Sequence, residues 1–300
     1  MRLDGLRNIF SRSRQAPVVG AAPGTAAMAG RQGGAAPSAP VAAVVSPWDD
    51  QRLAVAEALW GEGFLAPGGA EEVLRLAVPL GLSAASSLLL LGAGAGGPAR
   101  VLAAELGVWV STCDADPVLV DLAARRIQRA GAALAKRASV AAWNPVAPQF
   151  RRHGFHHALA ADALHLGEPA AVLAALAAAI KPGGQMMLVE LVADSPLDMA
   201  DGAVAAWCRL ERRHAALPSE AQVTTALARL GFEVRVVEDQ SRRHIRQAIQ
   251  GWNGLIRTLS GTRPSQAYAV SLVAEAELWM RRIRLLRDGR IRLVRWHATA

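Results

Sequence analysis

Leu88-Leu89-Leu90-Leu91-Gly92-Ala93-Gly94-Ala95-Gly96-Gly97-Pro98-Ala99 is the stretch on which the reading of the fold turns. A short apolar run closed at once by glycine has the pattern of a fully buried strand. Four of the six positions from Gly92 to Gly97 are glycine, and helix formers follow from Ala99 to Leu106, with apolar side chains at Val101, Leu102 and Leu106. The order is strand, glycine loop, helix. Glycine lets the backbone turn at positive φ and lets a ligand come close. The first turn of the helix offers N–H groups that have no partner within the helix. Such a loop can cradle a nucleotide or nucleoside. By spacing alone it can also be a plain structural turn.

The rest of the chain bounds what surrounds this loop. With 300 residues, 52% of them hydrophobic, it can form one large α/β domain or two smaller ones. No apolar run reaches the roughly 18 residues needed to span a bilayer, and Met1 to Arg14 lacks the continuous apolar centre of a signal peptide. Two cysteines, Cys113 and Cys208, are too few for a disulfide framework or a zinc site, so no metal is expected and a reducing cytoplasm is the expected compartment. The net charge of +8 is unevenly placed: residues 1–45 carry five arginines against Asp4, and residues 281–300 carry seven against Asp288. The middle of the chain is therefore close to neutral, which argues against a nucleic-acid partner.

Residues 1–14 set Leu3, Leu6, Ile9 and Phe10 near one face of a possible helix with arginines off it, a pattern that can rest on an anionic membrane. The plainer reading, a disordered start, is preferred. Residues 15–45 are Ala, Gly, Pro and Ser with little else and complete a leader that cannot bury a core. Order is expected from Ser46, with residues 46–85 as two lid helices and 86–300 as the core. Ser46 is the expected cap of the first helix, which runs to Trp60. A loop from Gly61 to Gly69 carries Phe64 and Leu65, and a second helix spans Ala70 to Leu80.

After the glycine helix, Val108 to Cys113 reads as a second strand ending in Asp114-Ala115-Asp116-Pro117, with a helix from Pro117. An acid at the end of the second strand, about 20 residues past the glycines, is placed to hold a ribose hydroxyl pair, since a carboxylate accepts both hydrogens. The alternative for Asp114 alone is a helix cap. Further strands are expected at Ser139–Asn144, Phe155–Asp162 and Gln185–Val192. The helix Glu168–Ile180 and the turn Lys181-Pro182-Gly183-Gly184 precede the last of these. This alternation predicts a parallel, doubly wound sheet. Helices are then expected over 197–216, 219–230, 241–259 and 264–287. A strand at Phe232–Val237 and a final antiparallel strand at Arg290–Trp296 beside it complete the reading.

Leu91 to Gly97, Cys113 to Pro117 and Ile180 to Gly184 together resemble the class I S-adenosylmethionine-dependent methyltransferases, from Ser46 to the end of the chain. The Lys-Pro-Gly-Gly turn is the most telling part, because dinucleotide dehydrogenases do not usually have it. The lead-in Leu59 to Gly69 is similar to that of small-molecule N-methyltransferases of the phosphoethanolamine and sarcosine kind. The resemblance implies a Rossmann-like seven-stranded sheet with the last strand reversed, and S-adenosylmethionine as cofactor. It implies that Gly92, Ala93, Gly94 and Gly96 line the methionine part, that Asp114 and Ala115 meet the ribose, and that Asn144 stands where an acid usually holds the adenine amino group. His156 stands where the family usually has Asp.

On this reading the chain transfers a methyl group to a small-molecule acceptor, at nitrogen or oxygen. His165 and Glu190 are the candidate general bases by position. Glu62 is a candidate partner for a cationic acceptor, walled by Trp60 and Phe64. Each has a structural alternative: a partly buried histidine, a strand-closing acid, lid packing. Two other classes stay open, a binding protein that kept the fold and lost turnover, and an RNA methyltransferase. The second is disfavoured by the neutral middle and by Ala160-Ala161-Asp162-Ala163 after the fourth strand, where an Asn/Asp-Pro-Pro-aromatic motif would be needed. The sequence leaves the acceptor and the oligomeric state unassigned.

Overall fold

The four leucines of the opening stretch lie in β1 (Ser87–Leu91), near the middle of a seven-stranded sheet. The other strands are β2 (Trp109–Asp114), β3 (Ala138–Ala142), β4 (Phe155–Ala161), β5 (Ile180–Val192), β6 (Glu233–Asp239) and β7 (Arg292–Thr299). Their order is β3-β2-β1-β4-β5-β7-β6. Neighbours from β3 to β5 are parallel, and β7 runs antiparallel to both β5 and β6. The computed structural model describes residues 46–92, 94–261 and 263–300. The leader read at 1–45, its segment 1–14 and Ala93 lie outside the described residues.

The helices are α1 (Asp50–Trp60), α2 (Gly69–Ala77), α3 (Gly97–Leu106), α4 (Pro117–Arg129), α5 (Ala132–Arg137) and α6 (Pro169–Ala179). They continue with α7 (Gly202–Glu211), α8 (Glu220–Arg229), α9 (Ser241–Leu259) and α10 (Gln266–Arg287). Successive side chains of a strand point to opposite faces. Leu88 and Leu90 accordingly join Leu102, Ile127, Trp207 and Leu285 on one side of the sheet. Leu89 and Leu91 join Leu173, Leu176, Val223 and Trp296 on the other. A leucine buried this fully contributes about 1.5–3 kcal/mol, so an all-leucine strand is stable only where helices cover both faces. β7 divides in the same way: Leu293 faces the first layer, and Val294, Trp296 and Ala298 the second.

Several expectations need correction. The cap of α1 is Asp49, whose side chain accepts the N–H of Arg52, while the Ser46 hydroxyl donates to Asp116 at 2.6 Å. A carboxylate nearer the helix start thus takes the role, and Ser46 ties the lead-in to the end of β2. The helix expected over 197–216 is only α7. Asp201 caps it through the N–H of Ala203, and Arg212 ends it in the left-handed region at φ +52. Lys181 to Gly184 is not a separate turn between helix and strand. These residues lie inside β5, where the register slips between Phe155↔Ile180 and His157↔Gln185. The slack is taken up as a bulge, pinned by Gly183 N–H to Ala300 O and Ala300 N–H to Gly184 O. The capping box of α8, Ser219 with Gln222, is as expected.

Candidate functional site

The strand order reverses between β1 and β4, and in open α/β sheets ligands bind at the carboxyl ends of strands at such a switch point. The glycine loop leaves β1 there. Gly92 has φ +87, and a Cβ on it would stand 2.7 Å from the Ala161 carbonyl oxygen, so only glycine lets the loop pass the end of β4. Gly96, at φ +93, opens α3, and a Cβ there would press on Ala123 of α4 at 3.1 Å. Gly94 also keeps a positive φ and lies against Gly63 and Leu65 of the loop 61–69.

The loop 61–69 is keyed onto this turn. Gly97 N–H donates to Gly63 O at 3.0 Å, so the first amide of α3 is committed to that loop and not left open to a ligand. Gly63 N–H in turn donates to Glu57, whose carboxylate pairs with Arg126, and Arg126 also reaches Ala95 O. One ionic bracket thus joins α1, the loop 61–69, the glycine loop and α4.

Asp114 ends β2 and is 8% exposed. Gly92 N–H donates to the Cys113 carbonyl at 3.1 Å, which sets the acid directly beside the glycine turn. Its Oδ1 accepts the N–H of Asp116, and Asp116, not Asp114, caps α4. The helix-cap alternative for Asp114 therefore falls to its neighbour. Trp143 N–H donates to Asp114 O, which brings the exit of β3 to the same edge. Asn144 follows there, exposed, with its side-chain oxygen accepting the N–H of Val146 at 3.0 Å. One lone pair of that oxygen is thus spent locally. Ala115 is half-buried between the two acids.

Across the switch point β4 is followed at once by Asp162, a non-glycine residue at φ +49. Arg213 grips its carboxylate with Nη2 at 2.9 and 2.7 Å, and Arg282 stands 3.6 Å from it. Arg213 also meets Glu211 at 2.8 Å, and Arg282 meets Glu211 at 3.3 Å. The Asp162 side chain keeps 31% exposure while that of Arg213 keeps 3%, so the acid is the member that faces outward. Burial works against its charge, but Arg213, then His165 and Arg282, hold its carboxyl well below the usual range. The two guanidinium groups lie over Trp207 and Trp279 at 5.3 and 5.2 Å.

Both candidate bases are found beside this cluster. His165 sits on the 3-10 turn Leu164–Leu166, its Nδ1 3.5 Å from Asp162. Glu190 is 2% exposed within β5, and its Oε1 accepts the N–H groups of Ala163 and Leu164 at 2.8 and 3.1 Å. Burial, then the charge of Asp162, pushes its carboxyl up to about 8 despite those two donors. Through those two bonds Glu190 pins the turn that carries His165.

The three residues of the expected cationic box meet different partners. Trp60 turns inward, edge-on to Trp279 at 5.1 Å. Glu62 is exposed and pairs with Arg100 at 3.0 Å. Phe64 lies over Gly97, where a Cβ would meet its ring at 2.9 Å. Asp162, Arg213, Glu211 and Arg282 were not among the expected site residues. The one visible signal was position, an acid straight after the fourth strand. The arginines come from 51 and more residues later and carry no motif. Among the described residues no group of three or more His, Cys, Asp or Glu side chains could hold a metal ion.

The family described as a methyltransferase domain matches residues 65–237. Phosphoethanolamine N-methyltransferase 2 of Caenorhabditis elegans is 27% identical over 134 residues, which is 44% of this chain and 30% of that protein. Phosphoethanolamine N-methyltransferase 2 of Haemonchus contortus, solved with S-adenosyl-L-methionine, superposes with a TM-score of 0.71 at 19% identity. That match covers 82% of this chain and 56% of the other, so the chain spans less than two thirds of either relative. The [4+2]-cyclase SpnF superposes with a TM-score of 0.63 at 18% identity over 83% of this chain and 90% of that one. At such identities the two superpositions establish the fold.

Proposed function

The chain belongs to the methyltransferase-domain family, and from that premise we propose that it transfers a methyl group from S-adenosylmethionine to a small-molecule acceptor. The observation that carries the proposal is the pairing of the glycine turn with Asp114, joined by the Gly92 N–H to Cys113 O bond. A bare, positive-φ backbone beside a buried carboxylate at a switch point fits a nucleoside with an amino-acid tail. Gly92, Gly94 and Gly96, with Ala93 of the same loop, would line the tail. Asp114 and Ala115 would meet the ribose, and Asn144 the adenine edge through its remaining lone pair. The bound cofactor supplies an electrophilic methyl group on a sulfonium centre.

The chain's own residues then have to orient the acceptor and keep water out. Asp162 faces the acceptor side with a fixed negative charge, which suits an ammonium or a polarised amine or hydroxyl. His165 is the group placed to take a proton from it. Glu190 acts as a positioning residue by pinning the turn at Ala163 and Leu164. Trp60, Glu62 and Phe64 support the lid more than the acceptor. Two free cysteines, Cys113 and Cys208, agree with a reducing cytoplasm, and no described helix is long and apolar enough to cross a membrane.

Calorimetry with S-adenosylmethionine and S-adenosylhomocysteine tests the proposal, followed by methyl transfer from labelled cofactor to a panel of amines and hydroxy compounds. Asp114→Ala is expected to weaken binding by about 2 kcal/mol, the loss of a charge-assisted double hydrogen bond. Unchanged affinity would move the ribose site elsewhere. Two observations favour a second reading. Asn144 replaces the usual acid and already spends a lone pair on Val146, and the fold neighbour SpnF bears the name of a cyclase. One fold hosts many chemistries. Tight cofactor binding without transfer to any acceptor would select a binding or non-methylating role.

A further inference from the structure

A cavity of about 470 Å³ lies between the end of α1, the start of α2 and one face of α9. Trp60, Gly68, Arg243, Arg246 and Gln250 are among the residues that line it. Two bare stretches of backbone shape it. A Cβ on Gly251 would stand 2.3 Å from the Trp60 ring, and one on Gly68 would stand 2.5 Å from the Gln247 amide. Arg243, Arg246 and Gln250 recur at the spacing of one helix face.

The charges are arranged, not merely present. Glu72 takes Arg75, Arg243 and Gln247 together. Burial opposes its charge, but those partners bring its carboxyl down to about 2, so the anchor stays ionised. Arg243 is thereby fixed in direction. Arg246 and Gln250 are exposed and have no partner among the described residues. The indole N–H of Trp60 is buried without a hydrogen-bond partner. Glu71, the acid of the lining, is 86% exposed and stands 3.5 Å from Arg243. The cavity therefore offers a fixed guanidinium, a free one and an amide donor, with one solvated counter-charge.

We propose that this cavity is a second ligand site, for a small molecule bearing a phosphate group. The planar fork of an arginine matches phosphate oxygens pairwise, and Gln250 adds a donor on the next turn. The site is distinct from the glycine turn, because the loop 61–69 lies between them. Gly63 bonds Gly97 at one end of that loop, while Gly68 meets Gln247 at the other. A bound phosphate would therefore sit on α9 beside Gly68, at the far end of that loop.

Calorimetric titration of the full chain with inorganic phosphate, against sodium chloride at matched ionic strength, tests this. One phosphate is expected to bind, and Arg246→Gln, at an exposed and unpaired position, is expected to weaken it about tenfold. Arg257→Gln, an exposed arginine of the same helix outside the cavity, is expected to leave the affinity unchanged. Heat reproduced by chloride, equal affinity in Arg246→Gln, or an equal loss in Arg257→Gln would each overturn the proposal.

Discussion

The two sides of the strand-end site are built by different means. The side at β1 and β2 is made of backbone: glycines at Gly92, Gly94 and Gly96, a carboxylate two residues before a helix cap, and bonds between Gly92 and Cys113. Its parts lie within a few tens of residues. The side at β4 and β5 is made of buried charge: Asp162, Glu211, Arg213 and Arg282, backed by Trp207 and Trp279. Its parts come from three separate places, the end of β4, α7 with its exit, and α10. A backbone cradle suits a ligand common to a whole family, since it asks little of side chains. A side-chain cluster can be rebuilt for each acceptor. The difference is also energetic. The first side costs mostly backbone freedom, whereas the second must offset the desolvation of several ions by mutual pairing.

The comparison breaks most visibly at Arg213. Arg213→Ala leaves Asp162 with the longer contacts to His165 and Arg282, and Glu211 with that to Arg282. Removing one member of a buried ion pair costs about 3–5 kcal/mol, so the urea midpoint is expected to fall sharply. Asp162→Asn combined with Arg213→Met, which removes both charges, should recover most of that loss. A single-mutant loss under about 1 kcal/mol would mean that the cluster is solvated like a surface pair.

On the other side the corresponding test is Gly92→Ala. A Cβ at φ +87, 2.7 Å from the Ala161 oxygen, combines backbone strain with a clash against backbone that cannot rotate away. The expected cost is about 2–4 kcal/mol, read by thermal melting, together with weaker cofactor binding. If stability fell while cofactor affinity held, the turn would be structural and the cradle reading would fail.

This contrast explains what could be read from sequence. Leu88 to Gly97 announces strand, turn and helix because each residue acts on its immediate neighbours, and the Ser219–Gln222 capping box is legible for the same reason. The parallel pairing across β3-β2-β1-β4-β5 follows from the alternation of strands with helices. Local signals mislead where a competitor is equally local: Asp49 displaces Ser46 as a cap, and the glycines after Lys181 bend a strand instead of preceding one. The Arg213 grip on Asp162 joins residues 51 apart with no spacing rule behind it. Trp60, Glu62 and Phe64 look like a box in one dimension, yet past the turns at Gly61 and Gly63, with φ +99 and +84, the two rings join one apolar cluster while Glu62 pairs with Arg100 at the surface.

The smallest expected effect has the most informative sign. Glu190 is pushed up to about 8 by burial and by Asp162, so in the folded state it keeps a proton that the unfolded chain releases near its ordinary value. A raised carboxyl contributes stability that is fully present below the unfolded value and is lost as pH rises through about 8. His244 works the other way. Burial, then the charge of Arg282, brings it down to about 3, so its burden is relieved as pH rises toward 6.5. Above that pH the Glu190 contribution stands apart from that of His244. Glu190→Gln keeps an oxygen for the amides of Ala163 and Leu164 but has no proton to lose. Relative to the wild type, the variant should therefore gain on the order of 1 kcal/mol between pH 6.5 and 8, as read from urea midpoints across that range. A constant difference would mean that Glu190 is ionised throughout, and that the charge at the ends of β4 and β5 is held by solvent and not by the arginines that distinguish this side from the glycine turn.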